Sequence, residues 1–292
     1  MEDDAILTPD RLEAELEALA EAYPALTLQS LGRSLLGRRI PLLLLGRGRR
    51  RILYVGTHHA TEWLTSRLLL SFLRELCEAH AADARPYGLD LGFLLGHRTL
   101  VFVPMLNPDG VAIHLGIERD DPLAERRARM VDGGDFSHWQ ANARGVDLNH
   151  NYDAGFSEYK RLEPSLGILG GGPTRYAGDA PLSEPETAAL AGFIRATSPA
   201  LILTLHTQGE EIYYAGRGAR AIAHRFGRLS RYEVKAPEGA AAYGGLTDWA
   251  GGVLGIPSIT LECGRGENPL PPACAGRIYA RLRRLFFESI TM

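Results

Sequence analysis

Apolar residues at helical spacing define several predicted helices. Thr8 and Pro9 are typical of a helix start. Leu12, Leu16 and Leu19 then recur on one face, which predicts an amphipathic helix. The same periodicity predicts helices over residues 183–197, 220–229 and 272–289, and another from residue 61 to about residue 80. At the start of the segment 183–197, a serine and a glutamate have the spacing of a capping box, Ser183 and Glu186.

Continuous apolar runs alternate with these helices and predict buried strands. The runs are "RILYVG", "TLVFVPML", "ALILTLH", "EIYYAG" and "SITLECG", and two or three further strands are predicted between residues 26 and 46. "NPDG" after the second run predicts a turn. Residues 111–181 show little periodicity, which for so long a segment indicates a functional loop region. The alternation predicts an α/β fold with a central, mixed but mostly parallel sheet flanked by helices.

The composition favours a globular protein over a nucleic-acid-binding or membrane protein. The chain has 292 residues, 45% of them hydrophobic, which suits a single domain over residues 1–292 with the N-terminal helix and hairpin (about 1–48) packed on it. A net charge of -3 gives no basic field for nucleic acid. The start "MEDDAILTPD" is acidic and the longest aliphatic run, "IPLLLLG", is short. We therefore expect a cytoplasmic protein without a membrane or nucleic-acid partner.

Metal-binding side chains follow three of the predicted strands. His59 and Glu62 lie three residues apart after "RILYVG", a spacing that aims both side chains the same way where a helix begins. His206 ends "ALILTLH", and Glu262 lies inside "SITLECG". Two ligands close in sequence and a third far along the chain are typical of catalytic zinc, and the remaining carboxylate becomes a candidate base. The alternatives are hydrogen-bonded structural histidines and a buried salt bridge at Glu262, because a lone buried carboxylate is costly.

Six motifs together give the chain a resemblance to the M14 zinc carboxypeptidase family. In chain order they are "HATEW", "NPDG", "GVDLNHNY", "SEPET", "LHTQ" and "GGLTDW…TLECG". The resemblance covers most of the chain and implies a central mixed sheet of eight strands. It also implies hydrolysis of a peptide bond, with one zinc ion per chain activating water.

The resemblance assigns roles to individual residues. It makes His59, Glu62 and His206 the zinc ligands and Glu262 the general base. His58 lacks the three-residue step to the glutamate, so we expect a structural role for it. Further roles implied by the resemblance are Asp147, which orients the first histidine ligand, and Arg144, which stabilises the oxyanion, with Arg127 or Arg129 as alternatives.

Departures from the digestive carboxypeptidases concern substrate recognition. Asn149 is followed by His150, where those enzymes have an arginine that binds the terminal carboxylate of the substrate, and histidine cannot form the same charged fork. The tyrosine expected before the paired glycines is Ala240, and Tyr243 is a candidate to replace it. Asn149, His150 and Tyr243 are therefore the predicted substrate-binding residues.

"HTQGEEIYY" and "CGRGENPLP" make the chain most similar to the γ-D-glutamyl-diaminopimelate peptidase branch. This similarity implies a small murein-derived peptide as substrate, with Glu210, Glu211, Arg265 and Glu267 as candidate readers of a zwitterionic side chain. Three alternatives remain: a metallocarboxypeptidase acting on ordinary peptides, an amidoacylase of the aspartoacylase type acting on N-acyl amino acids, and a non-catalytic peptide-binding protein. The sequence leaves the oligomeric state open.

Overall fold

The computed structural model describes residues 6–118, 121–236 and 239–292. The strands are β1 (Leu26–Arg33), β2 (Arg39–Gly46), β3 (Arg50–Gly56), β4 (Arg98–Val103), β5 (Leu201–His206), β6 (Glu211–Ala215), β7 (Glu233–Val234) and β8 (Ser258–Glu262). The helices are α1 (Pro9–Ala22), α2 (Leu64–Ala81), α3 (Leu91–His97), α4 (Pro108–His114), α5 (Ala124–Ala128), α6 (Phe156–Leu162), α7 (Pro185–Thr197), α8 (Ala219–Ser230) and α9 (Ala275–Ser289).

One mixed sheet of eight strands forms the centre of the molecule. The strand order is β1-β2-β4-β3-β5-β8-β6-β7. The consecutive strands β4, β3, β5 and β8 are parallel, whereas β1, β2 and β6 join by antiparallel pairs. This architecture confirms the predicted fold class, including the eight strands.

Helices cover both faces of the sheet, which explains why its central strands are continuously apolar. Successive residues of β3 point to opposite faces, so Tyr54 joins the core shared with α1, α2 and α9. Leu53 and Val55 join the other core, which includes Leu190 of α7 and Trp249. The predicted N-terminal helix and hairpin are α1, β1 and β2, and the hairpin belongs to the sheet itself.

Two local predictions are wrong. The "NPDG" segment begins helix α4 instead of forming an isolated turn, because the Asn107 side chain accepts a hydrogen bond from Gly110 N at 2.9 Å and Pro108 occupies the first helical turn. The capping box at α7 is absent, since the N-cap is Glu184, without a side-chain capping bond. Glu186 instead accepts a hydrogen bond from Leu35 N at 3.0 Å.

The long segment between α4 and α7 is largely irregular, although α5 and α6 interrupt it. It is well packed against the rest of the fold, because Trp139, Val146 and Leu148 are buried. Among the described helices, none is long and apolar enough to cross a membrane. The irregular segment brings Asp147 to the end of the sheet where β3, β5 and β8 terminate.

Candidate metal centre and cleft

The candidate site lies at the carboxyl ends of three adjacent parallel strands. β5 pairs with β3 on one side and with β8 on the other, and His206 stands opposite Glu262 in the register of the β5–β8 pair. Gly56, the last residue of β3, stands opposite Leu205. Because parallel strands end at the same edge of a sheet, side chains that are far apart in sequence converge here.

A tight connection after β3 directs two of these side chains to one side. Thr57 has a φ of 54°, and its backbone N donates a hydrogen bond to Thr65 Oγ1 at 2.9 Å. His59 then caps a single 3-10 turn, Ala60–Glu62, before α2 begins. Within that turn His59 and Glu62 contact each other, with 3.0 Å between His59 Nδ1 and Glu62 Oε1.

His59, Glu62 and His206 form a compact cluster of potential metal ligands. His206 Nδ1 lies 2.9 Å from Glu62 Oε2 and 3.3 Å from His59 Nδ1. The two ring nitrogens thus face each other and a carboxylate, an arrangement that requires a cation or an extra proton between them. Two imidazole nitrogens and one carboxylate are a donor set of catalytic zinc sites. The residues therefore fit a zinc ion.

Charges in the cluster shift the pKa values of its members. Burial disfavours protonation of His59, but the carboxylates of Glu62 and Asp147 outweigh it and raise the pKa of His59 well above its usual value. Burial likewise acts against ionisation of Glu62, yet the two histidines lower its pKa to about 2. The positive charge of the histidines thus stabilises the ionised Glu62. A metal ion bound between the same side chains would stabilise that carboxylate in the same way.

Asp147 supports the cluster from behind His59. Its Oδ1 lies 3.2 Å from His59 Nε2, so Nε2 carries the proton and Nδ1 is left to face the other ligands. The same carboxylate accepts hydrogen bonds from Asn149 N at 3.0 Å and Arg175 N at 2.9 Å. Asp147 thus contacts the His59 ring and the backbone of two neighbouring loop residues, and the orienting role that the family resemblance implies for it stays a prediction.

His58 lies outside the cluster. It is fully buried, its Nε2 is 3.1 Å from the Tyr152 hydroxyl, and its ring stacks on His206 with 5.4 Å between centroids. This packing agrees with a structural role that fixes the ring plane of His206.

Asn268 contacts the cluster, although the sequence did not indicate it. Its Nδ2 donates to Thr207 O at 2.8 Å and to Glu62 Oε1 at 3.3 Å, and its Oδ1 accepts from Thr207 Oγ1 at 2.7 Å. One amide therefore joins Glu62 to the residue that follows His206. The only sequence signal was its position in "GRGENP", close after β8.

A cleft of about 350 Å³ opens beside the cluster. Glu262 borders it, and its carboxylate has no hydrogen-bonding partner in the described part of the chain. Burial raises the pKa of Glu262 to about 7. No lysine or arginine is among the described residues that line the cleft, whereas Glu211 and Asp248 do line it.

Two of the three predicted substrate-binding residues line the cleft, Asn149 and His150. His150 stacks on Tyr159 with 4.1 Å between centroids, and its Nδ1 donates to Tyr243 O at 2.9 Å. The ring of Tyr243 packs on Gly155 and the small core around Phe156 instead of lining the cleft. Tyr243 thus contacts a residue of the cleft lining, His150, through its backbone carbonyl.

The candidate oxyanion arginines lie away from the cleft lining. Arg144 Nη1 contacts Glu184 Oε1 at 3.5 Å, and 37% of the Arg144 side chain is exposed. Arg127 is buried, where it pairs with Asp121 and donates to Ala143 O at 3.2 Å. Arg129 is exposed on the surface.

The four residues predicted to read a zwitterionic group, Glu210, Glu211, Arg265 and Glu267, occupy different positions. Glu211 lines the cleft and pairs with Lys235 at 2.6 Å. Glu210 is not part of the cleft lining, and it pairs with Arg265 at 3.1 Å and with Arg281 at 2.5 Å. Glu267 is exposed. Among these four candidates, only Glu211 contributes to the cleft lining.

The fold and the site define a class: an α/β metallohydrolase with a largely buried His/Glu/His cluster at the strand ends. The chain belongs to the zinc carboxypeptidase family, because the profile of that family (Peptidase_M14) matches residues 12–225. It is therefore a metallopeptidase whose cofactor is zinc.

Particular relatives support this membership. Gamma-D-glutamyl-L-diamino acid endopeptidase 1 of Lysinibacillus sphaericus is 34% identical over 283 residues, which cover 94% of this chain and 70% of that protein. Among solved structures, thrombin activatable fibrinolysis inhibitor matches 99% of this chain and 75% of its own, with a TM-score of 0.74 and 18% identity. The murein-tripeptide amidase MpaA from Escherichia coli O157 matches 92% of this chain and 94% of its own, with a TM-score of 0.56 and 21% identity. The two structures show the fold alone.

Proposed function

We propose that the protein hydrolyses the γ-D-glutamyl-diaminopimelate bond of small murein-derived peptides. The observation that carries the hydrolytic part is the convergence of His59, Glu62 and His206 beside the free carboxylate of Glu262. The substrate part is supported by the 34% identity to the Lysinibacillus sphaericus endopeptidase, whose name states a γ-D-glutamyl-L-diamino acid bond, and diaminopimelate is a diamino acid. The size of the cleft, about 350 Å³, also suits a short peptide.

We propose His59, Glu62 and His206 as the ligands of one zinc ion. When bound, zinc supplies a Lewis acid that polarises the scissile carbonyl and makes water a nucleophile near neutral pH. Asp147 holds the proton of His59 at Nε2, which keeps Nδ1 available as a ligand. Asn268 holds the Glu62 carboxylate toward the two histidines.

Glu262 is the proposed general base and acid. It borders the cleft one strand away from His206, so it can take a proton from the attacking water and deliver it to the leaving amine. Its lack of a hydrogen-bonding partner in the described part of the chain supports this role, because the carboxylate is free to meet water.

We propose Arg144 as the cation that meets the developing oxyanion. Its contact with Glu184 is long, 3.5 Å, and its side chain is partly exposed, which leaves it free to reorient when substrate binds. Arg127 is a poorer candidate because its guanidinium is engaged by Asp121 and Ala143. Arg144→Ala is expected to lower kcat about 10-fold or more while zinc content stays unchanged.

The test of the proposed function compares Glu262→Gln with the wild type. Wild-type protein should contain one zinc per chain and hydrolyse L-Ala-γ-D-Glu-diaminopimelate, as followed by release of diaminopimelate. Glu262→Gln should retain the zinc and lose at least about 10²-fold in kcat, since it removes the base but no ligand. Full turnover in that variant, or in protein stripped of metal by a chelator, would refute the scheme.

The same assay separates the alternatives. Preferential removal of the C-terminal residue from ordinary peptides, over hydrolysis of γ-D-glutamyl peptides, would identify a metallocarboxypeptidase that acts on ordinary peptides. Preferential hydrolysis of N-acyl amino acids would identify an amidoacylase. Binding of peptides without any turnover would identify a peptide-binding protein. We further propose that residues 1–292 act as a single catalytic domain and that the substrate is met in the cytoplasm during murein recycling.

A further inference from the structure

Asn149 presents a hydrogen-bond donor to the cleft. Its side-chain Oδ1 accepts a hydrogen bond from Leu246 N at 3.2 Å, which fixes the orientation of the amide. The Nδ2 group therefore points elsewhere, and it has no protein partner in the described part of the chain. Because Asn149 lines the cleft, this N–H group is available to an acceptor on a bound molecule.

His150, the next residue, presents an acceptor. Its Nδ1 lies 2.9 Å from Tyr243 O, and a carbonyl oxygen can only accept, so the ring proton is on Nδ1. Nε2 of the neutral ring then carries a lone pair. No described residue is a hydrogen-bonding partner of Nε2, and the atom is accessible to a bound molecule. Stacking on Tyr159 holds the ring in place.

We propose that Asn149 and His150 together bind a peptide amide of the substrate, and that the enzyme therefore cleaves peptides that continue beyond this point. This inference rests on the proposed function and adds the position of cleavage to it. An amide offers a carbonyl acceptor that suits the N–H of Asn149 and an N–H donor that suits the lone pair of His150. A free carboxylate offers two acceptors and places one of them against the lone pair of His150.

The charges around the pair support an amide over a carboxylate or an ammonium group. Glu211, Asp248 and Glu262 line the cleft, whereas no lysine or arginine is among its described lining residues. A substrate carboxylate bound there would therefore meet no permanently charged basic side chain. The arginine whose charge acts on His150 is Arg175, but it is exposed and outside the cleft lining. An ammonium group has no acceptor for the N–H of Asn149.

The experiment uses two matched peptides and three forms of the zinc-loaded protein. Both peptides are L-Ala-γ-D-Glu-diaminopimelate. In one, the α-carboxyl group of the diaminopimelate residue is free, and in the other it is converted to the carboxamide. Wild type should have a kcat/KM at least about tenfold higher for the carboxamide. His150→Arg should reverse that preference, because arginine offers only donors and a permanent charge. His150→Gln should keep the preference, since it retains a neutral acceptor.

Affinity measurements on Glu262→Gln protein, by calorimetry with the same pair, separate recognition from turnover. Tighter binding of the carboxamide supports the inference. Equal or tighter binding of the free acid by the Glu262→Gln protein, or a kcat/KM ratio in His150→Arg unchanged from wild type, overturns it. Loss of acid binding on adding Arg175→Ala to the Glu262→Gln protein would then assign the carboxylate to Arg175. If neither murein peptide binds, the proposed substrate is wrong, and N-acyl dipeptides with an amide or acid terminus decide the present inference by the same ratio.

Discussion

Glu186 should make the folded protein less stable as the pH rises toward neutrality. The side chain is fully buried, and burial, with the charges of Asp109 and Glu184 adding to it, raises its pKa to about 7. Because the folded state binds this proton more tightly than the unfolded state, the stabilisation is complete below the ordinary pKa of 4.5 and is lost as pH rises through about 7. Linkage with these two pKa values gives a loss of about 2.5 kcal/mol between pH 5 and pH 8.

Glu186→Gln removes this titration and keeps an oxygen for the hydrogen bond from Leu35 N. Urea unfolding of both proteins at pH 5 and pH 8 measures the effect. Relative to wild type, the variant should gain about 2.5 kcal/mol more at pH 8 than at pH 5. Glu267→Gln, at an exposed position, is the matched control and should show no such gain. Parallel pH dependences for Glu186→Gln and wild type would refute the reasoning.

Three further variants test the support of the metal site and the core. Asn268→Ala removes a hydrogen bond to Glu62, so the dissociation constant of zinc, measured by chelator competition, should rise about tenfold. Glu267→Ala is the control at the neighbouring position. An unchanged dissociation constant in Asn268→Ala would mean that Asn268 does not position the Glu62 carboxylate. Asp147→Ala should weaken zinc by about 10- to 100-fold, and calorimetry giving wild-type affinity would exclude the orienting role. Phe72→Ala, in a fully buried aromatic cluster, should cost about 3–5 kcal/mol in denaturant unfolding, and a cost below about 1 kcal/mol would show that the core refills the cavity.

The sequence predicted the metal cluster and the neighbouring Glu262 because each of these residues carries a local signal. His59 and Glu62 have ligand spacing at a helix start, and His206 and Glu262 end apolar strands that the α/β pattern brings to one edge. The alternating elements likewise predicted the sheet, since continuous apolar runs are needed when both faces are covered.

Features that depend on tertiary contacts escaped prediction. Asn268 reaches Glu62 across 206 residues, and nothing in the local sequence specifies that partner. The predicted capping box at α7 does not form because its two side chains make other hydrogen bonds. Ser183 bonds to Asn151 and Glu184, and Glu186 accepts a hydrogen bond from Leu35 N. Helix α3 was missed because it has only 7 residues, although Asp90 caps it through Phe93 N at 2.9 Å.

The register of β5 against β8 couples the interior of the protein to its chemistry. Side chains along a strand alternate between faces, so His206 and Glu262 share one rim only while the two strands keep their alignment. Leu203, Leu205 and Leu261, which are fully buried and do not line the cleft, anchor that alignment from the core. Turnover is thus a sensitive reporter of strand slippage, and a hydrophobic substitution at these leucines can silence the enzyme without touching a single group that meets the substrate.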